Sequence, residues 1–339
     1  MVRGGARPGC RRLIRPIRAA GPECRRTRRT PASGSANPID RQHVPVGTES
    51  VHERLVSNTI RSRRSRADRT VMTASDSSAT SDAEAPSSAR IYDYALGGKD
   101  NYEVDRRALE KVMEGFPTVR IAARHNRQFM HRAVDALADA GVKQFLDIGT
   151  GIPTEPNLHQ VAQERAPEAR VVYVDHDPVV LAHARALLAG SPEGRTTFIQ
   201  ADLTDPEAIL SAPELHETLD LASPVALSLV AVLHFLSADQ NPAGVLKTLL
   251  DNLAPGSFVI ASHITADLDP EGMDRALDMY RRSAVHAQAR TRDEFAAFFD
   301  GLELLDPGVV AVNRWRPGIE PPSWLDKQVN CWGAVARKP

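Results

Sequence analysis

The sequence predicts an α/β protein with a mostly parallel seven-stranded sheet, an antiparallel edge hairpin and an N-terminal helical cap. Three observations carry this. From residue 141 onward, short β-branched runs alternate with helical apolar stripes, the pattern of βα units that cover both faces of a parallel sheet. One strand runs straight into a glycine turn, Asp147-Ile-Gly-Thr-Gly151, ahead of a helix. The last two strands have no helix between them. Residues 313–330, with Pro317, Pro321 and Pro322, read as a loop, and this permits antiparallel pairing at one edge.

Each element has its own signal. Tyr102–Gly115 and Pro117–Ala140 read as helices, the second on a stripe of Ile121, Phe129, Met130, Val134 and Leu137. Gln144–Ile148 is the first strand, and a helix follows near Glu155–Arg165. Arg170–Asp175 is the second strand. Asp177-Pro178 then opens a helix ending at Gly190, with Pro at the first helical position and Gly past the last. Thr197–Gln200 is the third strand, and Asp205-Pro206 starts a short helix. The apolar run Pro224–Leu233 reads as a buried central strand. Asn241-Pro242 caps a helix to Leu253, and Ser257–Ser262 is the next strand. Residues 270–284 and 291–301 read as helices, the latter opening with the capping box Thr291…Glu294. Val309–Val312 and Cys331–Ala336 close the chain as strands.

The formal net charge of −1 over 339 residues hides two opposite regions. Residues 1–72 hold 17 Arg, no Lys and 5 acidic residues, a balance of +12. Residues 73–339 hold 25 basic and 38 acidic residues, a balance of −13. The head is poor in aromatics and lacks sustained apolar periodicity, so it cannot bury enough surface to offset its ordering entropy. The expected organisation is a basic disordered head at 1–72, an acidic Ser-rich disordered linker at 73–88, a helical cap at 89–140 and the main domain at 141–339. Four readings of the head stand side by side. It is an arginine-rich arm for nucleic acid or acidic lipid, a transit peptide, a solvated tail, or translated sequence upstream of a native start at Met72. Pro16, Gly21 and Pro22 spoil the amphipathic helix that a transit peptide needs.

Composition also excludes classes. No apolar run approaches the roughly 18 residues of a membrane span. Leu13-Ile14 is cut short by Arg15-Pro16, so no secretory h-region forms. Cys10, Cys24 and Cys331 make no disulfide framework, and a reducing, cytoplasmic setting without membrane attachment is expected.

Ligands of open α/β sheets bind outside the carboxyl ends of the strands. Three strand ends here carry suitable residues. Asp147, Gly149, Thr150 and Gly151 form a turn that lets a ligand lie against the backbone, and the next helix N-terminus supplies free N–H groups. Thr154 stands where a dinucleotide fingerprint wants its third glycine, and Asp147 would oppose a pyrophosphate but suit a cationic amino-acid group. Asp175 ends the second strand, where a carboxylate can accept ribose hydroxyls, with a helix cap as the alternative. Asp202 and Leu203 end the third, placed for an adenine amine and ring. His176 and His183 read as surface residues rather than metal ligands, so no metal is expected; His176 is counted at the cofactor side through its place beside Asp175.

This order of elements resembles class I S-adenosylmethionine-dependent methyltransferases, whose Rossmann-like fold holds the amino-acid, ribose and adenine parts of the cofactor in that sequence. Several segments are similar to an actinobacterial S-adenosyl methyltransferase family long catalogued as a domain of unknown function. They are Arg90-Ile-Tyr-Asp-Tyr-Ala-Leu-Gly-Gly-Lys-Asp-Asn-Tyr-Glu-Val-Asp105, Arg124-His-Asn-Arg127, Gly149-Thr-Gly-Ile-Pro-Thr154 with Pro156-Asn157, Val174-Asp175 with Asp177-Pro178, and Arg314-Trp-Arg-Pro317. The resemblance spans about Ala89 to Pro339 and implies S-adenosyl-L-methionine as cofactor.

The segment Arg90–Asp105 reads as a cap over the cofactor cleft, with Tyr92, Tyr94, Lys99, Asp100, Asn101 and Tyr102 facing it and Arg124 nearby; the alternative is a structural helix whose tyrosines pack on the sheet. Methyl transfer needs orientation and exclusion of water more than a nucleophilic side chain. Candidates for a general base are His234, His263, Tyr94 and Asp100, and a backbone-satisfied buried histidine is the alternative for His234. The strand before His234 ends Ala231-Val-Leu-His-Phe235, not in the Pro-Pro-aromatic motif of exocyclic-amine methyltransferases. With the acidic domain, this favours a small-molecule acceptor over nucleic acid. A non-catalytic ligand-binding protein and an NAD-dependent oxidoreductase remain as alternatives; the oligomeric state is not set by the sequence.

Overall fold

The computed structural model describes residues 85–339 except 188, 189 and 284. The expectations for the basic head and for the Ser-rich linker up to residue 84 lie outside the described residues.

Three helices precede the sheet: α1 (Ser88–Leu96), α2 (Glu103–Gly115) and α3 (Val119–Asp139). The βα alternation follows: β1 (Gln144–Ile148), α4 (Leu158–Arg165), β2 (Arg170–Asp175), α5 (Pro178–Leu187) and β3 (Arg195–Gln200). Then come α6 (Pro206–Ser211), α7 (Pro213–Thr218), β4 (Ala226–Leu229), α8 (Pro242–Asp251) and β5 (Phe258–Ile264). The chain ends with α9 (Pro270–Arg282), α10 (Arg292–Ala296), β6 (Glu303–Leu304), β7 (Val310–Ala311), α11 (Asp326–Val329) and β8 (Cys331–Arg337).

The strands run in the order β3-β2-β1-β4-β5-β8-β6, with β7 also paired to β8. β1 to β5 are parallel, and β8 is antiparallel to β5, β6 and β7. The expected edge hairpin is therefore present, and the two-residue β6 brings the count to eight. Strand order reverses between β1 and β4, which opens a crevice at their carboxyl ends.

The period of two sorts side chains to the faces. Leu146, Ile148, Val172, Val174, Leu227 and Leu229 point into one core with Ile209, Leu215, Leu246 and Phe295 from the helices of that side. Phe145, Val171, Tyr173, Ala226 and Ile260 point into the other, against Phe129, Val134 and Leu137 of α3 and Leu158 of α4. Each fully buried Leu, Ile, Val or Phe contributes about 1.5–3 kcal/mol relative to exposure. Trp315, wholly buried, meets Phe129 edge-on at 5.7 Å, and its carbonyl accepts from Arg132 Nε at 2.8 Å. Of the Arg314-Trp-Arg-Pro317 segment, Trp315 is thus the plug in this core, while Arg316 is exposed.

A third cluster makes the cap. Ile91, Ala95, Leu109, Val112, Phe116, Val119 and Ala123 pack with Met273, Ala276 and Val285, so α9, from beyond β5, joins the N-terminal helices. A buried ion pair ties the cap together. Arg90 Nε meets Asp105 Oδ2 at 2.8 Å, and the same carboxylate accepts the N–H groups of Ser87 (2.9 Å) and Tyr102 (2.8 Å). Ser87 Oγ donates to Asp177 Oδ2 at 2.9 Å, and Arg90 lies 3.7 Å from the same oxygen, which moors the cap to the loop after β2.

Several boundaries differ from the sequence reading. The first part of the expected cap segment is helical up to Leu96 and is stopped at Gly97, whose φ of +92° is left-handed. β4 ends at Leu229 rather than running to Leu233. Ala231 turns to φ +57°, and its N–H is taken by Ser262 Oγ at 2.9 Å instead of by the ladder. α4 starts at Leu158, where Gln160 accepts the Asn157 N–H at 2.6 Å, so six residues separate it from Gly151. After the expected Thr291–Glu294 capping box, α10 tightens into a 3-10 turn over Ala297–Phe299.

Candidate functional site

The carboxyl ends of β1 to β5 and the cap enclose a cavity of about 320 Å³. Its floor is the turn after β1. Gly149 and Gly151 both hold left-handed φ, +74° and +67°. The Gly149 N–H donates to Val174 O at 2.8 Å, and the Thr150 hydroxyl donates to Asp147 O at 3.1 Å, so the turn is fixed by β2 and by its own threonine. The two glycines are not equivalent. A Cβ at Gly149 would stand 2.5 Å from Val232 Cγ2, whereas one at Gly151 would meet nothing within 4 Å.

Asp147 lies across from Ser228 of β4. Burial pushes its carboxyl up to about 6, against the pull of the Ser228 hydroxyl and the Arg127 charge, with Asp175 adding to the rise. Asp175, at the end of β2, is buried. Its oxygens accept the N–H groups of Gly151 (2.9 Å) and Asp177 (3.0 Å), and each keeps a lone pair. Burial raises this carboxyl too, and the two backbone donors oppose the rise. His176 is exposed, with Nδ1 3.6 Å from Asp175. Beyond β3, Asp202 is exposed and takes the N–H and hydroxyl of Thr204, both at 2.8 Å, in an Asx turn, while Leu203 is buried beside it. All of these line the cavity, so the eight residues read as cofactor-binding come together.

The histidines after β4 and β5 differ. His263 is wholly buried and off the cavity wall; it bonds to Ile264 O (2.8 Å) and to Arg290 Nη1 (2.6 Å), and burial takes it down to about 3. Arg290 also donates to Leu233 O (3.2 Å) and Leu236 O (3.3 Å), so it clamps the turn that carries His234. His234 lines the cavity with a buried Nδ1 that has no partner. Burial, then the neighbouring His263 and Arg290, hold its ring well below the ordinary range, so it is neutral.

The cap divides the remaining candidates. Tyr92 lines the cavity; its hydroxyl donates to Ala123 O (3.1 Å) and accepts from Asn126 Nδ2 (3.0 Å), and burial raises its pKa. The other cap residues do not face the cavity as expected. Tyr94 lies under Arg120 at 4.4 Å, because α1 turns it to the opposite face. Lys99 and Asp100 are exposed, and Tyr102 is 43% exposed under Arg90. Asn101 is buried but donates to Asp93 Oδ2 at 2.7 Å, inside the cap. Arg124 is exposed and bonds back to Arg120 O.

Arg127 takes the place expected of Arg124. It lines the cavity, donates to Thr154 O and Pro156 O, and buries an unpartnered Nε. The sequence held a signal for it. Val119, Ala122, Ala123, Asn126, Arg127 and Met130 follow the helical spacing that makes one face, and Arg124 and Ile121 fall off it. Tyr280 of α9 and Cys331 of β8 also reach the wall, both raised to about 12 by burial. Nothing local in the sequence marks either. Among the described residues, no group of three His, Cys, Asp or Glu is arranged to hold a metal ion, and no helix is long and apolar enough to cross a membrane.

This donor set fits an amino-acid-bearing nucleoside. The Asp147 carboxylate suits an ammonium, the unpartnered Arg127 Nε and its cation suit a carboxylate, and Asp175 suits vicinal hydroxyls. The open space at Gly151 lets a ligand touch the backbone.

Comparisons with known proteins agree with that chemistry. The profile of the S-adenosyl methyltransferase family matches residues 74–339. A DUF574 family protein of Streptomyces avermitilis superposes with a TM-score of 0.73 at 47% identity, covering 76% of this chain and 99% of the other. A provisionally named methyltransferase of Thermobifida fusca gives 0.71 at 38% identity, covering 78% and 99%. Trans-aconitate 2-methyltransferase of Acidovorax is 29% identical over 178 residues, 51% of this chain; the chain spans 60% of that curated relative. The glycine turn, the carboxylates at the strand ends and these matches lead to one conclusion: the chain belongs to the S-adenosyl methyltransferase family.

Proposed function

We propose that this chain methylates a small-molecule acceptor held between the strand ends and the cap. The observation that carries the reading is the single cavity with two kinds of wall: polar strand ends on one side and cap helices on the other. In this reading Asp147 holds the cofactor's ammonium, Arg127 its carboxylate, the Gly149–Gly151 backbone its chain, Asp175 its ribose with His176 beside it, and Asp202 and Leu203 its adenine. The bound cofactor supplies an electrophilic methyl carbon on a sulfonium. The protein's own part is positioning and exclusion of water. His234, neutral and weakly basic, orients an acceptor group by a hydrogen bond rather than taking its proton. Tyr94 and Asp100 stand away from the wall and have no reacting partner in this reading.

The acidic balance of −13 over residues 73–339 opposes a phosphate backbone and supports the small-molecule reading. The test is transfer of labelled methyl from S-adenosylmethionine into an ultrafiltrate of host-cell extract and, separately, into purified host DNA and RNA. Label in the ultrafiltrate is the expected outcome. Label in nucleic acid alone would overturn the reading.

A further inference from the structure

Cap residues turn a wall of unusual composition toward the acceptor side of the cavity. Ile91, Ala95, Leu109, Phe116, Ala123 and Met273 are all buried members of the cap core, yet all line the cavity. The cap core is thus built around a hollow. An apolar hollow forfeits roughly 24 cal/mol per Å³ of packing, and such hollows stay dry and take apolar guests. Three of the polar groups among them, Tyr92, Asn126 and Cys331, are tied together: Asn126 donates to Tyr92 Oη at 3.0 Å and faces Cys331 Sγ at 3.8 Å, while Tyr280 and the neutral His234 add uncharged polar groups to the wall.

The charges of the wall sit elsewhere. Asp147, Asp175 and Asp202 are its carboxylates, and Arg127 is the one permanent cation among the described residues that line it. Arg127 is already bonded to the carbonyls of Thr154 and Pro156, at the glycine-turn end. A polyanion beneath the cap would lose its water without gaining a cation.

Building on the small-molecule reading above, we propose that the acceptor is an uncharged, mostly apolar molecule whose hydrocarbon or aromatic frame fills the hollow of the cap. This differs from the tricarboxylate named for the curated relatives.

The experiment uses the full chain saturated with S-adenosylhomocysteine and two probes, 2-naphthol and trans-aconitate, followed by calorimetry. Saturable one-to-one binding of 2-naphthol, with trans-aconitate bound at least about tenfold more weakly, is expected; tenfold corresponds to 1.4 kcal/mol. Ala122→Phe, at a half-buried position on the wall, should lower 2-naphthol affinity by a similar factor and leave S-adenosylhomocysteine affinity unchanged. Tighter binding of trans-aconitate, or binding of neither probe by a chain that still binds S-adenosylhomocysteine, would overturn the proposal and spare the cofactor reading. A chain that does not bind S-adenosylhomocysteine would overturn both. The two-probe comparison on the unsubstituted chain decides the matter even if Ala122→Phe does not fold.

Discussion

The two walls of the cavity are built by different physics. The strand-end wall consists of backbone turns and carboxylates whose positions follow from strand register, so its glycine turn and each of its carboxylates lie within three positions of the carboxyl end of β1, β2 or β3. The cap wall is assembled from α1, α2, α3 and α9, separated by up to about 190 residues of chain, and is held by packing around one buried ion pair. Polar specificity on one side is local in sequence. Apolar shape on the other is a property of tertiary assembly.

The largest effect should come from the cap's ion pair. Arg90→Ala leaves the Asp105 carboxylate buried without its cation, and denaturant unfolding should show a loss of about 3–5 kcal/mol. A loss below about 1 kcal/mol would mean that packing alone holds the cap. The two glycines separate folding from binding. Gly149→Val collides with Val232 and adds left-handed strain, so it should cost about 2–4 kcal/mol of stability. Gly151→Val meets open space and should cost only the ~1–2 kcal/mol of the strained φ, while abolishing S-adenosylhomocysteine binding in calorimetry. If both variants lost stability equally, the distinction between a packed and a ligand-facing glycine would fail.

Asp175→Ala should weaken S-adenosylhomocysteine binding by about 1.5–3 kcal/mol, the scale of hydrogen bonds to a charged group. An unchanged affinity would reject its ribose role. A smaller effect should appear with pH. Asp147 titrates at about 6 in the free protein, and only the carboxylate can pair with an ammonium. Affinity for S-adenosylhomocysteine should therefore be full above about 6 and fall by up to about tenfold per unit below it, and Asp147→Asn should flatten the profile. The sign for the unliganded protein is the reverse. A carboxyl raised by burial binds its proton more tightly when folded, so this group costs stability as pH rises from the ordinary carboxyl range through about 6. The smallest effect belongs to Lys99→Ala. The side chain is exposed and off the wall, so stability and cofactor affinity should stay within about 0.5 kcal/mol.

The same contrast explains what could be read in advance. The strands along the chain, the edge hairpin and the positions of Asp147–Gly151, Asp175 and Asp202 after them were legible because period-two alternation and turn chemistry are local, whereas the strand order in the sheet is a tertiary property. The early end of β4 was not, since Ala231 leaves the ladder for a hydroxyl from Ser262, thirty-one residues away. The density of polar groups in Arg90–Asp105 suggested a binding surface, but Asp93, Asn101 and Asp105 turn inward to hold the cap's own backbone and side chains. Arg127 was within reach through the helical face it shares with Asn126 and Met130; Tyr280 needed the tertiary return of α9 to the cap.

Asp177 receives Ser87 and Arg90 of the cap through its side chain, and its N–H is held by Asp175 at 3.0 Å. One residue is thus a shared fulcrum for the roof over the acceptor and for the carboxylate assigned to the ribose. Thermodynamic reciprocity then fixes a rule for traffic through the site. An acceptor that draws the roof tighter strengthens cofactor binding by the same factor by which the cofactor strengthens its own. Loss of either ligand would then weaken equilibrium binding of the other by that same factor.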